Sequence, residues 1–302
     1  MGSVKQEVSE DLRKHILDLR RRHSFREVAH ITGLPLGTVK TVVSRSGAFR
    51  DNEAHRKLFC LPSIRQGMET YPSVPELPSQ QAVTGDREVD ALLWLRDVIS
   101  TGQAGAITAA MEAAQKIKTP LKQLEARYRD HLRTHRPGDL FAALSSFDLG
   151  DLQALADKSI EKVRRQAEAQ ARFGDRIFSH TDAEVFCISA LDGLQPTGVG
   201  SFDSAEVSTR FKARPELMPN TLSDCLYELE YWNQLYWLRH AVERDGSDPA
   251  PEASARGSFV FELLARIRPR SREEAKAVLR YLVAGDRGDA DATDQIMENL
   301  LG

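Results

Sequence analysis

The segment from Ser24 to Arg45 constrains this chain more than any other part of its sequence. Ser24 is a good helix N-cap, and Glu27 three residues later completes the pattern of a capping box. Gly33 stands where the first helix must end, because glycine takes the left-handed C-terminal conformation without steric penalty. Pro35 suits the beginning of a helix but not its interior. The segment therefore predicts two short helices joined by a tight turn.

Each predicted helix has one apolar side and one polar side. We expect the apolar positions to form a small core; they are Val28, Ala29, Ile31, Val39, Val42 and Val43. The second helix leaves five polar side chains facing outward, as a recognition helix in the major groove of DNA requires. These five are Thr38, Lys40, Thr41, Ser44 and Arg45. The segment thus has the layout of a helix-turn-helix.

Part of this segment resembles a known family. The run from Gly33 to Lys40, followed by Ser44-Arg45, is similar to the helix-turn-helix of region 4 of extracytoplasmic-type sigma factors and related regulators. The resemblance covers a small part of the chain, and it implies groove-facing positions for Thr38, Lys40, Thr41 and Arg45. Only a short stretch precedes the motif, without room for the helical domain that would bind the promoter's upstream partner element. We therefore expect a DNA-binding module and not a sigma factor.

The charge distribution favours a nucleic-acid partner over a purely structural helix pair. Basic residues outnumber acidic ones by about two to one between Asp11 and Lys57, although the whole chain has a net charge of −3. Such asymmetry indicates a local polyanion-binding face. We expect phosphate contacts from four arginines, namely Arg20, Arg21, Arg22 and Arg26.

The rest of the sequence predicts an all-α protein in three parts. A first helix from about Glu10 to Arg22 completes an N-terminal module over residues 1–60. Frequent prolines and few periodic apolar residues predict an extended linker over residues 61–86. Helical periodicity dominates residues 87–302, which we expect to form a larger helical domain for oligomerisation or partner binding.

Two stretches of this helical part leave alternatives open. The apolar run from Val185 to Ile188 suits either a strand or a buried helix. A helix that begins at Thr221 has an apolar stripe typical of core packing, made of Leu229, Trp232, Leu235 and Tyr236. Tyr231 and Trp237 lie off that stripe, and we expect them to be exposed as a candidate partner site.

No motif in the sequence indicates catalysis or cofactor binding. Phosphate-cradling glycine loops, the Gly-x-Ser-x-Gly elbow and paired-cysteine zinc patterns are absent. His131 and His135 have the spacing of a metal-binding pair, but Leu132 replaces the glutamate of zinc proteases and no third ligand is evident. The aspartates from Asp286 to Asp294 lack the glycine and the final glutamate of a calcium loop. We expect no enzyme, no cofactor and no metal.

The cysteine content and the hydropathy of the sequence bear on where the protein is located. The cysteines are odd in number and widely spaced, which favours reduced intracellular thiols, and no apolar stretch approaches the roughly 20 residues of a membrane span. We expect a cytoplasmic, nucleoid-associated protein.

The function that the sequence favours is a sequence-specific transcriptional regulator on double-stranded DNA, working as a homo-oligomer or with a protein partner bound by its C-terminal helices. An origin in a phage or mobile element is one option. The alternative is a DNA-binding component of replication, packaging or segregation that recruits a separate motor. A weaker third option is an enzyme whose site is unrecognised.

Overall fold

Helices account for the secondary structure of this chain, as the sequence predicts. The computed structural model describes residues 9–20, 23–65, 76–135, 151–198, 201–243, 247–285, 287 and 292–301. Among them, β-pairing is limited to an isolated bridge between Gly198 and Ser201. The described residues pack into two compact units: the first takes in Met1–Leu61, Ser179–Tyr236 and Asp248–Gly302, and the second Pro62–Phe178 and Trp237–Ser247.

The first unit begins with three short helices, α1 (Glu10–Arg20), α2 (Phe25–Thr32) and α3 (Leu36–Ser46), followed by α4 (Glu53–Leu58). Helices α1 to α3 pack around four buried side chains, Ile16, Val28, Val39 and Val43. The predicted core position of Ile31 is wrong, because its side chain is 50% exposed. The apolar face of α2 centres on Val28 and ends before its last turn.

The remaining helices of the first unit form a second, larger core. They are α9 (Asp182–Ala190), α10 (Ser204–Lys212), the first part of α11 (Leu222–Val242), α12 (Pro251–Leu263), α13 (Arg272–Ala284) and α14 (Thr293–Leu301). The run Val185 to Ile188 is therefore helical. Within it, the Cys187 side chain is buried and the Val185 side chain is exposed. This core includes Phe211, Leu222, Phe259, Val260, Leu264, Val278 and Ile296.

The second unit is built from α5 (Arg87–Ser100), α6 (Ala104–Ala114), α7 (Leu121–His135) and α8 (Leu152–Phe173). Its core is aliphatic, with Leu92, Ile99 and Leu124 fully buried. Gly102 ends the α5 region at a φ of 71°, where a side chain would collide with Val163 and with the Ser159 carbonyl of α8. Glycine at this position therefore permits the close approach of the two helices.

Both ends of the predicted linker are attached to the second unit. Arg172 donates a hydrogen bond of 2.6 Å to the Pro62 carbonyl, and the Arg65 amide donates to the Ala171 carbonyl. At the other end, the Trp94 indole donates a bond of 2.7 Å to the Pro78 carbonyl. The backbone groups of Pro62, Arg65 and Pro78 are therefore hydrogen-bonded to helices of the second unit.

The two units also divide the chain differently from the predicted domains 1–60 and 87–302. The N-terminal helices share a unit with residues 179–236 and 248–302, while 87–178 belong to the other unit. The physical reason is α4, whose buried side chains contact α11 and α12 as described below.

Candidate nucleic-acid interface

The α2 helix begins with the capping box that the sequence predicts. The Glu27 amide donates to Ser24 Oγ at 3.3 Å, and the Ser24 amide donates to Glu27 Oε2 at 2.7 Å. The hydrogen bonds from Ser24 hold the pKa of the Glu27 carboxyl below its ordinary value. Two amides that would otherwise be unpaired at the helix start are thereby satisfied.

The turn between α2 and α3 depends on the backbone conformation of Gly33. Its φ is 66°, in the left-handed region, and its amide donates to the His30 carbonyl. A Cβ atom at this position would meet nothing within 4 Å, so the requirement for glycine is conformational and not steric crowding by neighbours. The chain then turns over Leu34 and Pro35, and α3 begins at Leu36.

The α3 helix presents a polar face to solvent. Val39 and Val43 are buried on one side, and four of the predicted contact residues are exposed on the other, namely Lys40, Thr41, Ser44 and Arg45. Residues spaced by three and four positions share a helix face, so these four side chains form one continuous surface. Thr38 is half-buried beside that surface.

Hydrogen bonding and charge differ among these side chains. The Thr41 hydroxyl donates to the Gly37 carbonyl at 2.8 Å, which leaves its oxygen available as an acceptor. Lys40, Arg45 and the nearby Arg26 are exposed, and within the described part of the chain they form no ion pair. Their positive charge is therefore not neutralised locally by an acidic side chain.

Of the other arginines predicted to contact phosphates, only Arg20 lies within the described residues. Arg20 is half-buried; one of its Nη atoms donates to the His23 carbonyl at 2.9 Å, and its guanidinium lies 4.2 Å from the Phe25 ring centroid. These contacts fix Arg20 against the start of α2. Arg21 and Arg22 lie outside the described residues.

Helix α4 joins the N-terminal helices to the rest of the first unit. Asn52 caps α4 by accepting from the amides of Ala54 and His55, and its own side-chain amide donates to the carbonyls of Glu216 and Met218. One turn later, Arg56 Nε donates to Asp224 Oδ1 at 2.7 Å. Each turn of α4 therefore bonds to a segment more than 160 residues away.

A buried ionic cluster lies at the centre of this junction. His55, Glu228 and Arg256 are each 0% exposed. Arg256 donates to both carboxylate oxygens of Glu228, at 2.7 and 2.8 Å, and His55 Nε2 lies 2.7 Å from Oε2. Four aromatic rings lie within 6 Å of the Arg256 guanidinium, those of Phe59, Phe186, Phe211 and Phe259.

The electrostatics of the cluster favour an ionised pair of Glu228 and Arg256. Burial alone would raise the pKa of Glu228, but the Arg256 charge and the hydrogen bonds from Arg256 and His55 outweigh burial and hold that pKa below its ordinary value. His55 Nδ1 is buried and has no hydrogen-bond partner among the described residues. Burial raises the pKa of the neighbouring thiols of Cys187 and Cys225, so neither supplies a thiolate.

No local pattern in the sequence predicts this cluster. Acidic residues are almost never fully buried unless they are paired, and the pairing of Glu228 is not visible along its own helix. Its partners His55 and Arg256 are 173 and 28 residues away along the chain, and the Trp232 indole, which donates to Oε1 at 3.3 Å, is four residues away. The only local signal was the position of Glu228 one turn before Trp232, on the side of the helix that packs inward.

The predicted exposure of Tyr231 is wrong. Its side chain is 4% exposed, its hydroxyl donates to Thr181 Oγ1 at 2.8 Å, and its ring lies edge-on to Phe59. The packing of α4 and α9 against α11 covers this position. Trp237 is 40% exposed and belongs to the second unit, where the Arg165 guanidinium lies 4.8 Å from its ring centroid.

The described residues provide no metal site. His131 and His135 stack with ring centroids 4.1 Å apart, and His135 Nδ1 lies 3.0 Å from the His131 carbonyl. Among the described residues, no three His, Cys, Asp or Glu side chains are grouped so that they could hold a metal ion. Of the aspartates considered for calcium, Asp286, Asp289 and Asp291 lie outside the described residues.

Within the described ranges, no helix combines the length and the apolar character needed to cross a membrane. No protein-family model, curated protein or solved structure matches this chain.

Proposed function

We propose that this protein is a sequence-specific, double-stranded-DNA-binding regulator of transcription in which α3 reads the major groove. The observation that carries the proposal is the solvent face of α3, where Lys40, Thr41, Ser44 and Arg45 lie opposite the buried valines. The three-helix core and the fixed Gly33 turn hold this face rigidly. A rigid polar helix face with uncompensated positive charge is what major-groove recognition requires.

The side chains on this face suit base edges. Arg45 and Lys40 match the two acceptors of guanine, the Ser44 hydroxyl pairs with either donors or acceptors, and the Thr41 oxygen accepts from a base donor. Arg26, on α2, supplies a phosphate contact that fixes the register without reading sequence. Each good bidentate contact contributes about 1–3 kcal/mol of discrimination between bases.

A single recognition helix reads only a few base pairs, so we infer that a second copy or a protein partner extends the site. Helices outside α1–α3 would supply that contact, with the exposed Trp237 as one candidate. A regulator of this kind would be associated with the nucleoid.

Selection from a random duplex library with the full chain tests the proposal. We expect wild type to enrich one short sequence and Lys40→Ala/Arg45→Ala to lose that enrichment, because both base-reading cations are removed while the core is untouched. The matched control is Lys158→Ala/Lys162→Ala, which removes two exposed cations from α8. Enrichment of the same sequence by wild type and by the α3 variant would contradict the proposal, as would the absence of any enriched sequence.

A further inference from the structure

A second basic surface lies on the other compact unit. Between Lys116 and Arg133 the sequence has six Lys or Arg residues and two acidic residues, Glu125 and Asp130. Basic residues outnumber acidic ones by three to one here, against about two to one between Asp11 and Lys57, and this stretch belongs to the part of the chain that is acidic as a whole. Such a concentration of one charge needs a physical account.

The fold leaves four of these cations exposed, two on α7 and two in the turn that precedes it. Helix α7 buries Leu124, Tyr128 and Leu132 against its own unit. Lys122 and Arg133 are eleven residues apart, which is about three helical turns, and they share the solvent side over roughly 16 Å. Lys116 and Lys118 are exposed in the turn that precedes α7. We refer to Lys116, Lys118, Lys122 and Arg133 as the basic α7 surface.

The positive charge of this surface is largely uncompensated. Within the described part of the chain, the three lysines form no ion pair. Arg133 lies 3.5 Å from Asp130, but both side chains are more than two-thirds exposed. An exposed pair of this kind contributes little and is readily exchanged for another anion. The two remaining cations are paired with acidic side chains and do not belong to the surface: Arg129 is held by a 2.6 Å bond to Glu125, and Arg127 lies 3.3 Å from Asp86.

The chemistry of the surface fits a phosphate backbone better than a protein partner. Large apolar side chains are exposed elsewhere among the described residues, but none of them lies in 104–135. Protein interfaces depend on buried aromatic or apolar anchors, which this surface lacks. Spaced lysines on flexible stems are instead typical of sequence-independent contacts with the polyanionic DNA backbone.

We propose that the basic α7 surface is a second, sequence-independent contact with the phosphates of the DNA that α3 reads. This inference rests on the proposed function, which supplies the DNA that the surface contacts. Its role would be to add affinity and salt dependence, while α3 supplies the preference for sequence.

The test uses the full chain and compares Lys118→Ala/Lys122→Ala with the control Lys158→Ala/Lys162→Ala on α8. Both variants remove two exposed cations from the same unit. The dissociation constants for the selected duplex and for a duplex of random sequence are measured over a series of salt concentrations. Each lost phosphate contact reduces the slope of log affinity against log salt by about 0.9, so we expect a loss of about 1.8 in the first variant only. The ratio between the two duplexes should not change.

The outcomes separate this inference from the proposed function. An unchanged slope in Lys118→Ala/Lys122→Ala, or an equal loss in the α8 control, would overturn the α7 contact and leave the α3 proposal intact. If Lys118→Ala/Lys122→Ala reduces the salt slope but wild type enriches no sequence, the α7 contact is supported and the proposed regulator function is overturned. Polyglutamate serves as the protein-like probe: weaker binding to it, with DNA binding unchanged, would assign the surface to an acidic protein and overturn the DNA contact.

Discussion

Glu228 is a buried carboxylate held by two side chains from distant parts of the chain, and Arg256 is its counter-ion. Arg256 holds it with two hydrogen bonds and His55 with a third. A buried charge is costly unless its partners satisfy it, and loss of one partner leaves the other uncompensated. The stability of the first unit therefore depends strongly on this one residue.

We expect Glu228→Gln to lower the free energy of unfolding by roughly 3–5 kcal/mol, because Arg256 would remain charged and buried without a counter-ion. The matched control is Glu230→Gln, two positions along the same helix, where the exposed carboxylate accepts a hydrogen bond from Gln234. Its effect should stay within about 0.5 kcal/mol. Urea titration of both variants measures the difference, and equal effects would contradict the structural role of the cluster.

The same pair of variants has a defined pH dependence. Burial favours the neutral acid, but Arg256 and His55 hold the pKa of Glu228 below its ordinary value of 4.5. The contribution of the carboxylate is therefore fully present above pH 4.5 and is lost as the pH falls through the lower folded pKa. The stability gap between wild type and Glu228→Gln should narrow on acidification below that point, whereas a widening gap would show the opposite sign.

Distance along the chain explains which residues could be predicted. Ser24 and Glu27 are three residues apart, so their capping box is visible in the sequence and is confirmed. The cluster at Glu228 joins three remote segments, and no local pattern encodes that pairing. Tyr231 was misjudged for the same reason, since its burial comes from α4 and α9 and not from its own helix.

At the scale of elements, the α2–turn–α3 pair follows closely from local rules. The start of α2, the left-handed glycine and the buried valines of α3 all agree with the sequence expectation. The polar face of α3 could be predicted because a helix has a fixed period once its buried side is known. The end of the apolar face on α2 could not be predicted, because it depends on how far the neighbouring helices extend over that face.

Two glycines near the turn give a test of this element. Gly33→Ala should destabilise the protein by about 1–2 kcal/mol, because alanine is strained in the left-handed region. Gly37→Ala, inside α3, should stabilise it by up to about 1 kcal/mol, since alanine is a better helix former. Both glycines face open space, so crowding does not enter. Thermal unfolding compares the two variants, and shifts of the same sign would contradict the assigned conformations.

At the scale of the whole molecule, the chain builds two compact units from interrupted stretches of sequence. Residues 1–61 belong with 179–236 and 248–302, and the intervening stretch forms its own unit. Composition alone suggested a small module, a linker and one large domain. It could not reveal that two buried side chains, His55 of α4 and Phe59 directly after it, take their partners from helices far along the chain.

Hydrogen exchange on full-length variants tests this division. Glu228→Gln should speed amide exchange in α4 and α12, whose side chains meet at the buried cluster, and leave α5 to α7 unchanged. The reciprocal variant is Leu92→Ala, which opens a cavity in the separate core of the second unit at a cost of about 2–5 kcal/mol. It should speed exchange in α5 to α7 and leave α4 protected. If each variant instead changed exchange equally in both units, the chain would unfold as one cooperative block, and the cores would not be independent.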